Sequence, residues 1–113
     1  MCNHQVAMSE IERELTVPAE PDEVWEALTD EDLRSRWLHD AGEPRAITDE
    51  EADPDERSLT FRWARPGEEP TEVRFTVEAV PAGTRVVVVE TAPSRVAWGP
   101  LLGALAARVP AFA

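Results

Sequence analysis

The stretch Thr16–Leu38, TVPAEPDEVWEALTDEDLRSRWL, limits the fold more tightly than any other part of this chain. It sets a strand end, a proline-rich corner and two short amphipathic helices, each with an inward Trp, directly one after another. Just before its corner, Ile11, Arg13, Leu15 and Val17 alternate with Glu10, Glu12, Glu14 and Thr16. A period of two with one apolar face predicts a half-buried antiparallel strand. Pro18 and Pro21 end it. Pro21 also suits the first turn of a helix, where Asp22 and Glu23 favour the positive end of the dipole. Val24, Trp25 and Leu28 then form one apolar side. Thr29 or Asp30 caps a second helix, Glu31–Leu38, with Leu33, Trp37 and Leu38 inward. Neither helix is long enough to persist alone, so both must dock on a sheet.

Strand signals follow. Gly42–Pro44 reads as a turn and Arg45–Glu51 as a weak strand, with Ile47 its one large apolar side chain. The acidic run Thr48–Arg57, TDEEADPDER, reads as a solvated loop, and it lacks the central Gly of a calcium loop. Ser58–Ala64 turns Leu59, Phe61 and Trp63 to one face. Arg65–Pro70 is a hairpin loop. Thr71–Val80 places Val73, Phe75 and Val77 inward and Glu72, Arg74, Thr76 and Glu78 outward. Pro81-Ala82-Gly83 leads into Thr84–Thr91, whose apolar run Val86–Val89 suits a central strand or one covered on both faces.

From Ser94 the spacing becomes helical, through Val96, Ala97, Trp98, Leu101, Leu102, Leu105 and Val109. Charge is nearly absent here, so the helix is expected to be buried on more than one side. Pro100 cannot sit unstrained deep inside it, so the regular helix starts near Gly99 or kinks there, and Pro110 ends it. The order is strand, two helices, three or four strands, helix. That is an α+β chain with an antiparallel meander.

The 113 residues suffice for one core, giving a single domain over 9–113 behind a loose tail, 1–8. The net charge of -12 repels phosphate backbones and anionic lipid heads, which argues against nucleic acid and membrane partners. Lys is absent, which excludes Schiff-base chemistry and a lysine-dependent phosphate loop. Cys2 has no second cysteine to bond with. With Met1 removed, Cys2-Asn3-His4 would present the third-position His of a copper or nickel grip, but a loose tail is the simpler reading. No apolar run approaches the ~20 residues of a membrane span, and no secretory layout opens the sequence, so a cytoplasmic location is expected.

The order and spacing of several segments resemble a known family. They are Ile11–Pro18 with Pro21–Thr29, the second helix ending in Trp37-Leu38, the pair Leu59–Trp63 and Glu72–Val80, and Gly83–Glu90. Together they are similar to a short SRPBCC (START-like) domain, of the type named after the activator of Hsp90 ATPase homologue. The resemblance implies a helix-grip fold, in which a curved antiparallel sheet wraps a C-terminal helix and leaves a cavity between them. It makes Trp37, Phe61, Trp63, Phe75, Val77, Val86, Val88, Trp98, Leu102 and Leu105 the pocket candidates. Glu90 shares the parity of Val86 and Val88 and is added to them. The chain departs from the pattern in two places. The hairpin that relatives carry after the second helix is missing, and the link Thr91–Arg95 before the last helix is short. Both imply a smaller or more open cavity, with an exposed sheet edge that a second copy would cover in a homodimer.

Two functional classes remain. One is a non-enzymatic binding module for a hydrophobic small molecule or a protein partner, with a cochaperone-like role implied by the family's name alone. The other is a cyclase- or dehydratase-like enzyme acting on a polyketide-like substrate in the same cavity. Catalysis needs convergent polar groups inside, and only Glu90, Arg13 and His39 offer themselves, so binding is favoured. His39-Asp40 is adjacent in sequence and poorly placed to act as a pair. No catalytic residue, metal site or cofactor is assigned.

Overall fold

The computed structural model describes residues 10–40, 46–91 and 98–109. The expected tail, the Gly42–Pro44 turn and the links around Ser94 and Pro110 lie outside them. The elements run β1 (Glu10–Val17), α1 (Pro21–Thr29), α2 (Glu31–Asp40), β2 (Ala46–Asp53), β3 (Ser58–Ala64), β4 (Thr71–Val80), β5 (Gly83–Thr91) and α3 (Trp98–Ala107). The strands form one antiparallel sheet in the order β1-β5-β4-β3-β2. Consecutive hairpins generate β2 to β5, and β1 closes the far side against β5.

Alternation decides which face is covered. Leu59, Phe61 and Trp63 of β3, Val73, Phe75 and Val77 of β4, and Val86, Val88 and Glu90 of β5 are all buried on one face. The helices pack on this same side, α3 touching β1, α1 and α2, and α1 reaching β4 and β5. The result is a two-layer α+β fold with its core between the layers. On the outer face Arg85 spans three strands, donating to Glu14 of β1 at 3.2 Å and Glu78 of β4 at 3.4 Å.

The corner after β1 is fixed by backbone contact. Ala19 is fully buried, its N–H donates to the Val17 carbonyl at 2.8 Å, and its own carbonyl accepts from the Thr84 hydroxyl at 2.8 Å. Gly83 lies directly beneath, with φ +139° and no room for a side chain. A Cβ there would overlap the Val17 carbonyl oxygen. The corner delivers the chain into α1, where Pro21 occupies the first turn. Asp30 caps α2 by accepting the Leu33 N–H at 3.0 Å, which settles the alternative between Thr29 and Asp30.

Three expectations are corrected. The second helix runs to Asp40, two residues beyond Leu38, and buries Arg34 while Leu33 is half-buried. The acidic run is not a loop throughout, because residues up to Asp53 pair with β3 as an edge strand. A shift in register between Thr48 and Glu51, with Asp49 at φ 53°, makes this possible. Within that bulge Glu50 accepts a forked pair of hydrogen bonds from Arg34, at 2.9 and 3.1 Å. Arg34 also donates to the Leu28 carbonyl at 3.1 Å and lies 6.0 Å from the Phe61 ring centre. Strand pairing and a buried cation therefore outweigh the exposure that such a charged segment prefers. Finally, α3 is buried on one side only. Trp98, Leu101, Leu102 and Leu105 face the core, while Gly99, Pro100, Gly103 and Ala107 face solvent. The solvent side consists of small residues and Pro, so the sequence looks apolar all round without needing cover on every side. The helix begins at Trp98, which places Pro100 in its first turn, where its missing N–H costs no hydrogen bond.

Denaturant unfolding should register these contacts. Gly83→Ala should lose more than about 2 kcal/mol, because steric overlap with backbone adds to the strained φ. Gly67→Ala, at φ +84° with open space around it, should lose no more than about 1–2 kcal/mol. Arg34→Met should cost about 2–3 kcal/mol, less than a fully buried pair would, since Glu50 keeps a third of its side chain in water.

Candidate functional site

Every pocket candidate named from the sequence is buried in the core between the sheet and the helical layer. Trp37, Phe61, Phe75, Val86 and Leu105 are fully buried, and Trp63, Val77, Val88, Glu90, Trp98 and Leu102 nearly so. Alternation along β3, β4 and β5 aims the strand residues inward, and the helical repeat brings Trp98, Leu102 and Leu105 down onto them.

The rings form a closed circuit. Phe61 meets Trp63 edge-on at 5.4 Å, Trp63 stacks on Trp98 at 5.4 Å and 19°, Trp98 meets Phe75 edge-on at 5.7 Å, and Phe75 returns to Phe61 at 6.1 Å. Trp37 adds a further edge-to-face contact on Phe75 at 6.3 Å. The first turn of α3 is thus attached to the sheet by its own Trp.

At one end of this apolar interior sits a carboxylate. Trp63 ends β3, Thr71 begins β4, Glu90 comes near the end of β5 and Trp98 opens α3, so topology gathers all four at the same edge. Trp63 and Thr71 are direct cross-strand partners, and Glu90 pairs with Val73, which makes Thr71 its diagonal neighbour. Glu90 Oε2 accepts the Trp63 indole N–H at 3.0 Å and the Thr71 hydroxyl at 2.6 Å, and Oε1 accepts the Trp98 indole N–H at 2.9 Å. At 1% exposure such a carboxyl would be severely destabilising without these bonds. The two stacked indoles therefore each give an N–H to a different oxygen of Glu90, and the hydroxyl of Thr71 adds a third donor.

The other polar candidates are elsewhere. Arg13 is exposed on the edge strand and donates to the Glu12 carbonyl at 2.8 Å, and His39 is exposed near the end of α2. Neither enters the interior, so the convergence of polar groups that the enzyme reading would need does not form around Glu90. Thr71 is the site residue that periodicity alone does not single out as functional, although it shares the parity of Val73 and Phe75 and is legible as inward on that ground. Among the described residues no group of three or more His, Cys, Asp or Glu is arranged to hold a metal ion, and no helix is long and apolar enough to cross a membrane.

No family model matches the chain, and no curated protein is similar to it in sequence. Solved structures do share its fold. Protein MLL2253 from Mesorhizobium loti is 16% identical, with a TM-score of 0.68 over 88% of this chain and 95% of that one. CalU16 from Micromonospora echinospora is 21% identical, with a TM-score of 0.68 over 88% of this chain and 74% of that one. The Aha1 dimer from Colwellia psychrerythraea gives 16% and 0.63 over 88% and 95%. At such identities the likeness establishes the architecture: this is a helix-grip fold, as the sequence resemblance implied.

Trp98→Phe should retain the ring packing and lose the donor to Glu90, lowering stability by about 1–3 kcal/mol in urea unfolding. Thr71→Val should cost a similar amount. Because both donors serve one carboxylate, the double variant should deviate from the sum of the two by more than about 0.5 kcal/mol.

Proposed function

We propose that this chain is a non-catalytic binding module that takes a hydrophobic small molecule between the inner face of the sheet and α3. The observation that carries this reading is Glu90. An apolar interior by itself is a core, and a Leu at this position would complete one at lower cost. A carboxylate kept out of water and held, among the described residues, by the donors of Trp63, Thr71 and Trp98 where α3 joins the sheet is a feature of recognition more than of packing. Trp37, Phe61, Trp63, Phe75, Val77, Val86, Val88, Trp98, Leu102 and Leu105 supply the apolar contacts of the proposed site, and Glu90 its polar end.

Catalysis on a polyketide-like substrate is the weaker reading. Both oxygens of Glu90 already accept from fixed donors, so proton transfer there would compete with Trp63, Thr71 and Trp98. Arg13 and His39 supply no second group. A protein partner would need an apolar surface open to it, whereas these side chains are covered by α3 and α2. Entry of a small molecule asks less, because displacement of the first turn of α3 would open the carboxylate end.

The test is retention. Full-length protein incubated with cell extract and examined by native mass spectrometry should keep a reproducible small molecule. Trp98→Ala should lose it while its far-UV circular dichroism stays unchanged. Leu102→Trp, which fills the interior without touching Glu90, should lose it too. If nothing is retained and no environment-sensitive dye binds, the carrier reading is wrong.

A further inference from the structure

We infer that the free edge of β1 docks an extended segment of another protein, with Lys or Arg at every second residue and apolar side chains between. The site lies outside the interior and does not depend on the binding reading above. It relies on backbone hydrogen bonds in place of an open apolar surface.

The two ends of the sheet differ. β2 is broken between Thr48 and Glu51, where Asp49 stands at φ 53°, and Ile47 is its one half-buried residue. β1 pairs with β5 without a break from Glu10 to Val17 and contains neither Pro nor Gly. It ends the strand order, so among the described residues its outer row of N–H and C=O groups has no strand to pair with. Such a row, about 27 Å long at the usual rise, is a template for one more strand.

Alternation decides what that strand carries. On the outer face Glu10, Glu12 and Glu14 are exposed. Arg85 meets Glu14 at 3.1 Å, while Glu10 and Glu12 have no ion pair among the described residues. Side chains directly opposite in an antiparallel pair lie about 4.5–5.5 Å apart, and opposite charges there stabilise the pairing. On the inner face Ile11 and Leu15 are only half-buried, so an apolar residue opposite each would cover what the end of the sheet leaves open. A second copy does not meet these terms. Two-fold antiparallel pairing of β1 with itself sets even-numbered residues against even-numbered ones, and so Glu against Glu.

The probe is the peptide Thr-Val-Lys-Thr-Lys-Val-Lys. Set antiparallel, it places lysines opposite Glu14, Glu12 and Glu10 and valines opposite Leu15 and Ile11. Its isomer Lys-Lys-Lys-Thr-Thr-Val-Val keeps the charge and loses the alternation. Binding of each labelled peptide to the full chain is read by fluorescence anisotropy in 0.15 M salt, where exposed charges act over about 8 Å. The alternating peptide should bind at least about tenfold more tightly than the isomer. Glu10→Gln with Glu12→Gln should weaken it by at least about threefold. Glu31→Gln with Asp32→Asn removes the same charge from the exposed start of α2 and should change it less than about twofold. Amide exchange followed by NMR should show alternate amides of β1 gaining protection with the peptide, and none in β2. Equal binding of the two peptides, no binding of either, or equal effects of the two double variants overturns the inference. So does a dimer of the free protein in light scattering whose β1 amides are already protected, because a second copy then holds the edge.

Discussion

The structure depends on one carboxylate and the three donors that close on it. Glu90 belongs to β5, Trp63 to β3, Thr71 to β4 and Trp98 to α3, so their bonds connect the three inner strands to the last helix at a single point. The apolar contacts around them are individually weak and non-directional. Directional bonds to a buried acceptor fix the rotation of α3 and the tilt of both indoles, and the ring circuit of Phe61, Trp63, Trp98 and Phe75 follows from that alignment.

Most of the architecture is legible in the sequence because alternation is an unambiguous signal when one face is covered. β3 and β4 have the bounds that period two predicts, and α1 begins and ends where its Pro and its capping residues indicate. Glu90 can be placed inward from its parity with Val86 and Val88. Its partners cannot be named in advance, since Trp63, Thr71 and Trp98 come together through strand pairing and helix docking and not through spacing along the chain. The family resemblance supplies the grip of sheet on helix, which periodicity alone does not reveal.

The acidic edge strand shows the opposite limit. Thr48–Asp53 has the composition of a loop, and its pairing with β3 relies on two facts invisible in the local sequence. One is a bulge that turns Glu50 toward α2. The other is Arg34, a helix residue drawn inward at a position where apolar periodicity gives no reason to look. The pair compensates one buried cation and one edge anion together, so neither position can be read without the other.

The two ends of the sheet are made at very different times. β2 to β5 join through hairpins, so each can pair as soon as it leaves the ribosome. β1 is synthesised first but must wait for β5, and the Glu14–Arg85 bridge spans 71 positions. The nascent chain therefore carries an unpaired leading strand through most of its translation. The alternating glutamates of β1 keep that waiting segment soluble and averse to its own kind, and they go on guarding it in the finished sheet, where β1 stays at an edge.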